Sequence, residues 1–168
     1  MAEDFLKYGL ILRPADGEVL IKGSICPSPK PYAKEAKKII KKLYEADLRS
    51  DERKKIVSPK HGKWLAECDD QSVIHVCLIS EDYPERLGYK FLQESRGAIS
   101  EVNSYWSESQ TFVEDAYRTK FFELMTKFND PNTFDRITSI NKKVDQATEI
   151  MKDNLGKAME NTENLEVS

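Results

Sequence analysis

Lys54–Ser80, KKIVSPKHGKWLAECDDQSVIHVCLIS, is the stretch that decides the fold. Two turn signals divide it, PKHG at Pro59–Gly62 and CDDQ at Cys68–Gln71. Pro, Gly and Asp favour such reversals because they fix or relax the backbone dihedrals. Three short extended segments remain, Lys54–Pro59, Lys63–Glu67 and Ser72–Ser80. Links this short permit only antiparallel neighbours, since a parallel return needs a crossover of a dozen or more residues. The stretch therefore predicts a three-stranded meander.

Toward the N-terminus, Phe5–Arg13 (FLKYGLILR) and Glu18–Ile25 (EVLIKGSI) flank a turn at Pro14, Asp16 and Gly17. They read as a hairpin that merges with the meander into one antiparallel sheet. Cys26–Pro31 (CPSPKP) has too many prolines for a sheet or a helix interior. From Tyr32 the period becomes helical. Ala36, Ile39, Ile40 and Leu43 recur on one face, with Lys34, Lys37, Lys38, Lys41 and Lys42 between them, to an end near Arg49. Glu35, Glu45 and Asp47 interrupt these lysines, so the sequence alone reads as a solvated face rather than a membrane-binding one.

Beyond the meander, Asp82 is the expected N-cap of a second helix, with Pro84 in its first turn. Leu87, Phe91, Leu92, Ile99 and Val102 line its apolar side. A third helix after YWSESQ carries Phe112, Ala116, Phe121, Leu124, Met125 and Phe128 and stops at Asn129–Asn132 (NDPN). The expected organisation is a domain over 1–128, a hinge over 129–136 and a helix-prone tail over 137–168. Alternating steps of three and four residues through the tail give a coiled-coil seam at Ile137, Ile140, Val144, Ala147, Met151, Asn154, Ala158, Asn161 and Leu165.

The 168 residues allow one domain and an appendage; 39% are hydrophobic and 33% charged. A net charge of −3 argues against nucleic-acid binding by bulk electrostatics. Three cysteines without CxxC spacing fit a reducing, cytosol-facing environment. MAEDFLKYGL lacks the basic start and apolar run of a signal peptide, and no stretch approaches the ~20 apolar residues of a membrane span, so any anchor is expected outside this chain.

Three stretches of the domain, LILRPADGEVL (Leu10–Leu20), YAKEAKKIIKKLYE (Tyr32–Glu45) and HVCLISEDYPERLGYKFLQE (His75–Glu94), resemble a longin domain, and VDQATEIMKDNL (Val144–Leu155) is similar to the V-D-x-x-x-x-I-M-x-x-N signature of R-SNARE motifs. The chain resembles the longin R-SNAREs, most nearly their ER–Golgi subfamily. The resemblance implies an α+β, profilin-like longin fold: a five-stranded antiparallel sheet with one helix on one face and two on the other, followed by the N-terminal half of a SNARE motif. It also implies vesicle-trafficking work on the cytosolic face of ER, Golgi and transport-vesicle membranes. Q-SNARE proteins and vesicle coat components would be partners, with the longin domain regulating assembly and coat sorting. The family's fold-back mode implies that Asn154, Leu155 and Gly156 lie against a groove of Ile39, Ile40, Leu43, Ile56 and Val57. One departure stands out: Asn161 falls where most members carry the central Arg. That favours, as the alternative, a non-fusogenic adaptor or regulator that binds coat or tether proteins.

Enzymatic readings are weak. His75 and Cys77 share a strand face with Val73 and Ile79, which reads as core rather than a nucleophile pair. His61, Cys68, His75 and Cys77 lack compact metal-ligand spacing. Neither catalysis nor a cofactor is expected.

Overall fold

A computed structural model of the chain describes residues 6–25, 30–129 and 151–154. The elements, in chain order, are β1 (Leu6–Arg13), β2 (Glu18–Gly23), α1 (Lys30–Ala46), β3 (Arg53–Ser58), β4 (Gly62–Cys68), β5 (Ile74–Ile79), α2 (Glu85–Ile99), α3 (Gln110–Asn129) and β6 (Met151–Asn154). They form one sheet in the order β2-β1-β5-β4-β3-β6. The first five strands pair antiparallel. The sixth, β6, pairs parallel with β3 and was not expected as a strand. The fold is thus α+β, with a five-stranded antiparallel sheet extended by one short parallel strand.

Each sheet face has its own core. Ala36, Ile39 and Leu43 of α1 pack on Leu10, Leu12, Trp64, Val76 and Leu78. Leu87, Phe91 and Leu92 of α2, with Val113, Phe121 and Met125 of α3, pack on Ile11, Leu65, Cys77 and Ile79. One helix therefore covers one face and two cover the other. All six residues of β5 are buried, which is why this strand reads as a nearly unbroken apolar run.

Two irregularities adjust which side chains reach each core. Register slips by one residue at Lys7, so Leu6 joins the α2–α3 side although Tyr8, Leu10 and Leu12 face α1. A bulge at Leu20 puts Leu20 and Ile21 in the same cluster. A bulge of this kind re-aims side chains. Close approach of α3 requires small residues beneath it: a Cβ on Gly23 would run into the Phe122 ring.

Element ends differ from the sequence expectation for local reasons. Helix α1 stops at Ala46, short of Arg49, because Asp47 takes a left-handed conformation (φ 51°). It starts at Lys30, with Pro31 in the first turn where its missing N–H costs little. Pro84, not Asp82, occupies the N-cap of α2, and no side chain caps that end. A residue before proline is pushed out of helical dihedrals, so Tyr83 cannot begin the helix. Asn129 belongs to α3 rather than to a hinge. Its Nδ2 donates to Leu6 O at 2.9 Å, and Leu6 N donates to its Oδ1 at 2.7 Å. This double bond ties the end of α3 to the start of β1.

Candidate functional site

The outer edge of β3, on which β6 pairs, is the candidate site, and its surroundings hold it rigid. On the α1 side, Glu35 is only 4% exposed. Its carboxylate accepts from Ser58 Oγ at 2.9 Å and from Trp64 Nε1 at 2.6 Å, joining α1 to β3 and β4. At the end of β3, the His61 ring meets Tyr32 edge-on at 5.1 Å, and Lys7 Nζ donates to His61 O at 2.6 Å. Burial lowers the pKa of His61. The Glu35 charge opposes that shift, and Lys7 and Lys60 reinforce it.

On the α2 side, Lys55 and Lys63 both reach Glu85, at 3.0 and 3.2 Å. Burial would raise the pKa of Glu85, but the hydrogen bonds from these two lysines outweigh it and hold the carboxyl below its ordinary value. Arg53 donates to buried Glu67 at 2.7 Å and stacks over the Tyr89 ring at 4.1 Å. Glu67 also accepts from Arg96 Nη1 at 2.6 Å. Strand β3 is thus pinned on both faces while its edge stays open to a partner strand.

That partner is β6. Lys54, Lys55, Ile56 and Val57 stand opposite Met151, Lys152, Asp153 and Asn154. Edge pairing of this kind draws on main-chain hydrogen bonds and tolerates many sequences. Each bond is worth about 0.5–1.5 kcal/mol net. Ordering each residue costs about 1–2 kcal/mol. Pairing alone therefore comes out near balance or below it. Tethering the strand to the domain helps, because it turns a bimolecular encounter into an intramolecular one. The geometry suits a reversible hold.

Among the expected groove residues, Ile39, Leu43 and Ile56 are buried in the α1-side core, and Ile40 is half-buried against it. Val57 is half-buried and pairs with Asn154. Met151 and Asn154, both given seam positions, are extended in β6 rather than helical. Ile137, Ile140, Val144, Ala147, Leu155, Gly156, Ala158, Asn161 and Leu165 lie outside the described residues, as do positions 130–136 of the expected hinge.

A second constellation was not legible in the sequence. His75 Nε2 lies 2.9 Å from Asp69 Oδ2, and His75 Nδ1 lies 3.1 Å from Ser95 Oγ. Tyr117 OH donates to Ser95 Oγ at 3.1 Å, and Tyr105 OH donates to Asp69 Oδ2 at 2.7 Å. The groups match a Ser–His–Asp set, yet His75 is 0%, Ser95 1% and Asp69 3% exposed. No substrate can reach the hydroxyl, and every member is already partnered. The arrangement ties β5, α2, α3 and the intervening loops together. Burial raises the Asp69 pKa, but the His75 and Tyr105 hydrogen bonds outweigh it and leave the carboxyl below its ordinary value. Cys77 does not engage His75. Its thiol points to Gly88 O at 3.8 Å, and burial pushes its pKa up. Cys68 packs on the opposite face, so it does not converge with His75 and Cys77. Among the described residues, no three His, Cys, Asp or Glu side chains are grouped to hold a metal ion. Compared with known proteins, the chain matches no family model and no curated sequence.

Proposed function

We propose that the chain is a longin-domain, R-SNARE-like protein of ER–Golgi vesicle transport. In this reading its fold is the longin fold, with which the five-stranded antiparallel sheet and three helices are compatible. The observation that carries the proposal is the pairing of β6, a piece of the seam-bearing tail, with the edge of β3. A segment held as a strand cannot be part of a helix. The domain thereby withholds the tail from Q-SNARE helices until it is released, and vesicle coat components read the held form. Assembly then drives membrane fusion on the cytosolic face of ER, Golgi and vesicle membranes.

The test is amide hydrogen exchange over Met151–Asn154 in the full chain, alone and with three ER–Golgi Q-SNARE helices. Protection alone, followed by helical assembly that Val144→Asp abolishes, is the expected result. Failure to assemble with any Q-SNARE set removes the fusion reading. The sequence observation at Asn161 favours a second reading, a non-fusogenic adaptor whose held tail is itself the recognised surface. An adaptor would tolerate Val144→Asp and lose coat binding with Ile40→Asp. Leu43 is unsuitable for that experiment, because it is buried and its change would damage the domain.

A further inference from the structure

The lysines of α1 look different once folded. The helix carries six lysines and two glutamates, in a chain whose net charge is −3. Glu35, which breaks the basic run in the sequence, is turned inward onto Ser58 and Trp64 and contributes nothing to the outer surface. Glu45 and Asp47 are exposed but stand at the C-terminal end. Lys34, Lys37 and Lys41 are exposed and follow one another at three- and four-residue spacing, which makes a ridge about 10 Å long. Lys38 and Lys42 lie half-buried beside it.

Helix stability does not account for this pattern. Like charges three or four residues apart destabilise a helix. The first turn has no acidic residue and the last turn no basic one, so the macrodipole is not satisfied either. Residues 81–129, which include α2 and α3, have the opposite bias along the sequence, with nine acidic and six basic side chains.

We propose that the ridge Lys34–Lys37–Lys41 docks on an anionic lipid surface, holding the domain with α1 toward the membrane. Complementary charge is the argument, and the residue type selects a lipid plane over a shaped partner. Lysine is a point charge on a flexible stem, without the fixed fork that arginine offers to a single carboxylate or phosphate. The ridge is straight and holds no apolar pocket residue between its charges. Each lysine brought to such a surface is worth about fivefold in partitioning. Three give about a hundredfold, enough to orient a domain already tethered nearby. The proposal stands whether or not the tail enters a SNARE bundle.

The test is co-sedimentation of the full chain with phosphatidylcholine vesicles, with and without about one-third phosphatidylserine. Three proteins are compared: wild type, Lys34→Gln/Lys37→Gln/Lys41→Gln, and a control of equal charge loss on α3, Arg118→Gln/Lys120→Gln/Lys127→Gln. Binding only to anionic vesicles is expected, weakened about a hundredfold by the α1 variant and little by the control. Binding should also vanish as salt rises from about 0.1 to about 1 M and the Debye length falls from ~10 to ~3 Å. Equal losses in both variants would show a net-charge effect and overturn the proposal. No preference for anionic vesicles would overturn it too, as would lysine-dependent capture by polyglutamate without vesicle binding, which points to an acidic protein partner. Circular dichroism of the α1 variant confirms that the helix persists.

Discussion

Replacing Asp69 by Asn tests whether the buried Ser95–His75–Asp69 network is a structural clamp. Asp69 accepts four hydrogen bonds. Gln71 N and Val73 N reach Oδ1 at 2.8 and 3.0 Å, and His75 Nε2 and Tyr105 OH reach Oδ2 at 2.9 and 2.7 Å. An asparagine oxygen can keep the two backbone bonds. Its amide nitrogen then faces two donors, and each bond to the charged oxygen is worth about 1.5–3 kcal/mol. Part is recovered if the Tyr105 hydroxyl rotates and His75 changes tautomer, so the net loss is about 2–4 kcal/mol. That is a large share of the ~5–15 kcal/mol of a whole domain. Urea unfolding at neutral pH, followed by Trp fluorescence, measures it. The pH dependence adds an independent check. Asp69 has a folded pKa below its unfolded one. Its contribution is therefore complete above the unfolded value, near 4, and is lost as pH falls through the folded value. Wild type should lose stability on acidification below about pH 4, and Asp69→Asn should show a shallower loss in that window. A neutral-pH change under about 0.5 kcal/mol, the range of ordinary surface substitutions, would refute the clamp.

Three further outcomes follow from buried groups. Glu35→Gln leaves either the Ser58 hydroxyl or the Trp64 indole N–H without its acceptor, which should cost about 1–3 kcal/mol in thermal or urea unfolding, with a shifted Trp64 emission. Gly62→Ala should be among the most damaging single changes, because φ is 130° there and a Cβ would strike the carbonyl of Ile79; loss of soluble protein or of the cooperative melt is the readout. In a Cys26→Ser background, native protein should resist a thiol reagent and react with two equivalents only after unfolding. Cys68 and Cys77 are buried, with the Cys68 pKa pushed up to about 12 and that of Cys77 raised as well.

The antiparallel sheet was legible because its signals are local. Turn residues at Pro59–Gly62 and Cys68–Gln71 bracket runs whose alternation assigns faces, and His75 and Cys77 do share the α2–α3 face. Partners across the fold were not legible. His75 meets Asp69 six residues earlier and Ser95 on a separate helix, and no spacing encodes that. The register slips at Lys7 and Leu20 likewise depend on how neighbouring strands fit. Strand β6 was hidden for another reason. Met151–Asn154 (MKDN) has no β-branched or aromatic residue and sits inside a three–four repeat, so any periodicity test favours a helix. The edge of β3 supplies what the segment's own propensity lacks. In the sequence Glu35 reads as a break in a basic run, because a sequence shows charge but not direction.

Parallel pairing of β6 with β3 also has a mechanical consequence. Strand β6 lies along the direction of β3, so a load directed along that shared axis runs along the ladder. Such a load is shared by all the ladder bonds together, instead of peeling them one by one from an end. Release under force is governed by a barrier rather than by the equilibrium balance. A hold that thermal fluctuation undoes readily can therefore resist a brief axial pull, while a sideways pull would open it one bond at a time.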